Sequence, residues 1–108
     1  METRLFVLQR ASAMILAPLV VCHLALILYA VRGGLTADEI LARTHGSIGW
    51  TLFYGLFVLV VSVHAPIGVR NVLRDWTRWR GRSLDAAMLA LAAALMAMGL
   101  RAVWAVVT

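Results

Sequence analysis

The chain has 108 residues, 63% hydrophobic and 14% charged, and its net charge of +5 is carried by ten arginines with no lysine. That length suits one domain, and a soluble domain of this composition would leave too much apolar surface in water, so the chain reads as a membrane protein. In so apolar a chain the positive charge marks a membrane face and not a nucleic-acid partner, and the lone Cys22 excludes an internal disulfide.

Residues 1–10 read as a short amphipathic leading segment with Arg4 and Arg10. Ala11 to Val31 is a run of 21 residues without Asp, Glu, Lys or Arg. Such a run spans a bilayer as a helix and exceeds a typical signal-peptide core. The first spanning helix is predicted over residues 5–31, ended by Arg32-Gly33-Gly34 because paired glycines break a helix at little cost. Thr36-Ala37-Asp38-Glu39 reads as an N-cap followed by an acidic first turn, the start of a short surface helix.

The second spanning helix is predicted over residues 46–76. It stays uncharged to Val69, and Pro66 removes one of its hydrogen bonds, to the Ser62 carbonyl. Arg70 to Arg82 holds five arginines beside Trp76 and Trp79; it prolongs this helix into the interface and then turns at Gly81. The third helix is predicted over residues 84–107 with Ser83 as its cap. It is rich in alanine and carries Gly99, residues that let helices approach closely in lipid, and Arg101 can snorkel to the interface. The fold class is thus all-α membrane protein, with three transmembrane helices in one domain over residues 1–108.

With three spans, the N-terminus and the Arg70–Arg82 loop share a side. Seven arginines lie there (Arg4, Arg10, Arg70, Arg74, Arg78, Arg80 and Arg82), against Arg32, Arg43 and Arg101 on the other. The positive-inside rule predicts a multi-pass protein of the cytoplasmic membrane with a cytoplasmic N-terminus.

Two histidines lie within the spans. An ionisable residue there is costly and is a functional-site candidate by default. His64 lies six residues before Arg70, roughly 9 Å inside the cytoplasmic border, and His23 lies thirteen residues after Arg10, roughly 20 Å from it. With a depth difference of about 10 Å, the two do not easily face one haem iron within one chain. The plain alternative is that each histidine hydrogen-bonds a neighbouring helix. The staggered pair suits two haems instead, each completed by a histidine from another chain, with neutral imidazole as the ligand and its other nitrogen held by a hydrogen bond. Gly68, four residues after His64, shares its helix face and leaves room for a flat macrocycle; Arg70 at the border suits a propionate. His45 reads as an interfacial residue.

Two segments resemble the cytochrome b membrane anchors of succinate dehydrogenases and fumarate reductases. One is His64-x-x-x-Gly68-x-Arg70 with Asp75 and Trp76, which resembles the end of that family's second helix. The other is Leu8-Gln9-Arg10-Ala11-Ser12 followed by His23, which resembles its first helix. The resemblance implies haem b on His64, a second haem on His23 as in two-haem members, and half of a haem-binding bundle. It also implies a quinone pocket (ubiquinone or menaquinone) bordered by Arg10, Ser12, Asp75 and Trp76. Two departures from the family pattern are Ala13 in place of a frequent glycine and Trp76 in place of a common tyrosine. Single-chain two-haem members have five helices, so a second membrane subunit or a second copy is implied. An iron–sulfur subunit and a flavoprotein that oxidises succinate complete the expected partners. The chain itself is then an electron-transfer and anchor subunit. The other readings are a haem b subunit of a different dehydrogenase and a haem-free three-helix scaffold.

Overall fold

The computed structural model describes residues 2–108. Four helices follow in order: α1 (Glu2–Gly33), α2 (Ala37–Thr44), α3 (Ile48–Trp76) and α4 (Arg82–Val107). The described residues contain no strand. α1, α3 and α4 are each long and apolar enough to cross a membrane, and the molecule measures 48 × 23 × 23 Å. α3 packs against both α4 and α1, and α2 packs against α4. α1 therefore runs from the arginine-rich end to the opposite end, α3 returns, and α4 crosses again.

α1 begins three residues before the predicted start at Leu5 and takes in the leading segment, being helical from Glu2. Nothing between Thr3 and Val31 breaks it, since Pro18 lies inside a helix that continues through it, as Pro66 does in α3. α1 ends at Gly33, and Gly34 turns the chain at φ +112°. Thr36 caps α2 through a reciprocal pair with Glu39: the Glu39 amide donates to Thr36 Oγ1 and the Thr36 amide to the Glu39 carboxylate, each at 3.2 Å. A Cβ at Gly34 would overlap that carboxylate, and its φ disfavours any L side chain. Gly34→Ala is expected to destabilise the fold by about 1–3 kcal/mol, since strain and loss of the cap act together. Thermal unfolding of the detergent-solubilised protein checks this; an unchanged transition temperature would refute it.

Ser47 caps α3, its Oγ accepting from the Trp50 amide at 3.2 Å. Ser83 does not cap α4. The helix starts one residue earlier, at Arg82, with Gly81 at φ +92° before it, and Ser83 Oγ accepts from Trp79 Nε1 at 2.8 Å. Gly81 takes the cap position and Ser83 is engaged by Trp79 instead, so no serine cap forms.

The far end of α4 is held by the first loop. Thr44, only 6% exposed, shares its one hydroxyl proton between the carbonyls of Ile40 and Val106, and the Gly46 amide donates to Val107 O at 2.7 Å. These bonds occupy carbonyls that a helix C-terminus otherwise leaves unpaired. Most large apolar side chains on α1 face outward, as do Leu89, Met98, Leu100 and Trp104 on α4, as expected of helices surrounded by lipid or by another membrane chain.

Candidate functional site

The α1–α3 interface holds both intramembrane histidines. Ser12 Oγ on α1 lies 3.1 Å from His64 Nδ1 on α3. One turn nearer the arginine-rich end, the Gln9 side chain packs on Gly68, where a Cβ would stand 3.3 Å from Gln9 Nε2. Gly68 and His64 therefore face α1 together, as their spacing predicted. The room left by Gly68 is taken by the glutamine, and so lets α1 approach. The Gln9 Oε1 atom is buried there without a hydrogen-bond partner.

Toward the opposite end, His23 on α1 packs against α3. Its ring centroid lies 5.0 Å from that of Phe57 and 6.3 Å from that of Tyr54. Trp50 stacks on Tyr54 at 5.6 Å, so the histidine stands at the end of an aromatic cluster. A cavity of about 210 Å³ borders His23, Arg43, Trp50 and Tyr54. Arg43 is held there by Gly34 O at 2.9 Å and lies 5.6 Å from the Tyr29 ring. The depth difference read from the sequence reappears as two contact levels. His64 meets Ser12 and His23 meets Phe57, so the levels are separated by roughly 10 Å measured along α3 and roughly 16 Å along α1.

The two histidines differ as candidate ligands. A neutral imidazole that binds iron through one nitrogen has its other nitrogen held by a hydrogen bond. His64 meets that requirement: Nδ1 is engaged by Ser12, and no described residue hydrogen-bonds Nε2. His23 meets half of it, because its Nδ1 is buried without a partner.

The residues expected around a quinone are not all gathered. Arg10 borders a cavity of about 530 Å³ with Leu5, Phe6, Gln9, Ala13 and Asn71. Ser12 lies outside that cavity, 6% exposed and turned to His64. Asp75 and Trp76 also lie outside it, and Trp76 is 85% exposed. With Ser12 and His64 level, Arg10 stands level with about residue 66, so Asp75 is roughly 12–14 Å further along the axis. Gln9 and Asn71 take the places beside Arg10. Gln9 was visible only as part of the Leu8–Ser12 segment, and nothing in the spacing singled out Asn71.

Arg70 is engaged with α4: its Nε donates to Asp85 Oδ1 at 2.8 Å, and the arginine side chain is 11% exposed. A propionate at Arg70 would share this guanidinium with Asp85. The pair borders a second cavity of about 300 Å³ between α3 and α4, lined by Pro66, Ile67 and Met88 and by the buried Ser62.

The sequence model of one family, described as succinate dehydrogenase/fumarate reductase transmembrane subunit, matches residues 1–103. The chain belongs to that family. The match takes in α1, α2 and α3 and nearly all of α4, hence both histidines and every other site residue named above. No curated protein and no solved structure matches the chain. A succinate dehydrogenase/fumarate reductase transmembrane subunit is a multi-pass membrane protein, in keeping with the three spans.

Proposed function

We propose that this chain is the haem b-binding anchor of a succinate:quinone or quinol:fumarate oxidoreductase, with His64 as an axial ligand. One observation carries the reading: inside a spanning helix, the half-buried His64 has Nδ1 3.1 Å from Ser12 Oγ, and no described residue hydrogen-bonds its Nε2. When bound, haem b supplies a one-electron relay between an iron–sulfur subunit and a membrane quinone. The chain's own residues hold and orient. His64 offers a neutral nitrogen lone pair, and the α3 backbone fixes its depth. Arg10, with Gln9 and Asn71 beside it, offers donors to a quinone carbonyl in an otherwise apolar cleft. The seven arginines of one end face the cytoplasm and form the docking side for the iron–sulfur subunit, behind which a flavoprotein handles succinate. A second membrane subunit or a second copy supplies the opposing ligand.

A reduced-minus-oxidised spectrum of membranes holding the assembled complex is expected to show a b-type band. Assembled complex without that band overturns the reading and leaves a haem-free scaffold. Arg10→Ala is expected to weaken quinone binding by about 1.5–3 kcal/mol, roughly ten- to a hundredfold, through loss of a charged donor. Succinate oxidation by a soluble dye should stay unchanged in that variant. Equal loss in both assays would mean misassembly and count against a quinone role.

A second haem on His23 is favoured by the two separate contact levels of the histidines. Two haems per complex and two b-type redox transitions are expected, one of them lost on His23→Ala. A single haem, unaffected by that substitution, removes the second site.

A further inference from the structure

Ser12 is the only described residue whose side chain hydrogen-bonds His64. Its Oγ lies 3.0 Å from the Gln9 carbonyl and 3.1 Å from His64 Nδ1, and the residue is 6% exposed. A serine hydroxyl carries one proton and can accept from others, whereas a backbone carbonyl only accepts. The Ser12 proton therefore goes to Gln9 O, and the contact with His64 is made by Nδ1–H donating to Ser12 Oγ. That assigns the tautomer: Nδ1 protonated, Nε2 bare. The opposite tautomer would need the serine proton for Nδ1, give up the Gln9 bond and cover Nε2 with a hydrogen.

The same contact fixes how the ring is turned. His64 is on α3 and its partner on α1, so the imidazole plane is held between two helices and not by its own backbone alone. Gly68 allows the approach that brings the serine within reach, since the Gln9 side chain fills the space a larger residue would need.

We infer that Ser12 is a positioning residue for His64, setting its tautomer, ring orientation and donor strength, and is not a quinone contact. The inference rests on the reading of His64 as a haem ligand. An imidazole that donates from Nδ1 is a stronger electron donor at Nε2, which favours oxidised iron. Removing the acceptor should therefore raise the reduction potential of the haem on His64.

The test uses the intact membrane complex with Ser12→Ala and Ser12→Thr. It reads haem content, potentiometric titration and the low-spin ferric signal in electron paramagnetic resonance. Ser12→Ala is expected to keep haem and shift its one-electron equilibrium toward the reduced form by about tenfold, ~59 mV, with altered g values. Ser12→Thr, which keeps a hydroxyl, should stay near the parent protein in both. Loss of haem from the alanine variant alone also supports the inference. Loss from both variants assigns Ser12 to packing and overturns it. So does an unchanged potential and signal in Ser12→Ala, with or without slower quinone reduction. Absence of haem from the parent complex overturns the reading of His64 itself, an outcome distinct from all of these.

Discussion

Replacing His64 with alanine is expected to remove the low-spin b-type signal of its haem almost completely, while the chain still inserts and assembles. The two outcomes separate because of what the substitution leaves behind. Alanine is the best helix former, so α3 is not weakened locally. Ser12 keeps its own proton on the Gln9 carbonyl, so no buried donor is orphaned by losing the imidazole. The cost to the fold is the packing of one half-buried ring. Haem content per complex, with chain abundance in the membrane as the control, decides the matter. Full haem content and an unchanged spectrum in His64→Ala would refute the ligand assignment.

The second large effect is expected at Gly99. It lies where α4 meets α3, and a Cβ there would stand 2.5 Å from Val58 Cγ1, 2.9 Å from Cγ2 and 3.2 Å from Cβ. A flexible side chain could swing aside. Val58 cannot, because a β-branched residue in a helix has one strongly preferred rotamer and both methyls face the glycine. The helices must therefore separate, and the α3–α4 contact is the most extensive in the molecule. Gly99→Val is expected to cost about 3 kcal/mol, the upper end for overpacking, and Gly99→Ala about 1 kcal/mol. Thermal unfolding in detergent should rank parent, alanine and valine in that order. A valine variant as stable as the parent would show that α4 is not seated on Val58.

The ordering of these elements was largely legible in the sequence, and the reason is physical. Spanning helices are long uncharged runs, and charge placement along a chain is visible without coordinates. The cap at Thr36, the stop at Gly33-Gly34 and the turn at Gly81 were legible for a similar reason: each is a local device read from one or two residue types. The rotation of α1 about its axis was not legible. Both long helices are apolar nearly all round, so periodicity does not say which face meets α3. Ser12 was grouped with Arg10 through the resemblance of their segment, and its contact with His64, 52 residues away in the chain, could not be read. Asp75 and Trp76 were grouped with Arg10 by resemblance and by their shared end of the membrane. They share its end of the membrane but lie a few turns further out, where sequence spacing within one helix carries no information about another. The ion pair of Arg70 with Asp85 joins two helices across a turn and left no local trace either.

The grip of the first loop on the last helix bears on how the protein comes to be made. Thr44 and Gly46 are synthesised before α3 and α4, yet the carbonyls they bind belong to Val106 and Val107. Synthesis delivers the chain from its N-terminus, and spans insert before they associate. While α3 and α4 are being delivered, the loop already waits on the far face of the membrane, its hydroxyl and amide bonded to water. Only when α4 has crossed in full do its final carbonyls arrive at that level. The loop can then close only on the last piece to enter, so these bonds require that the third crossing be complete.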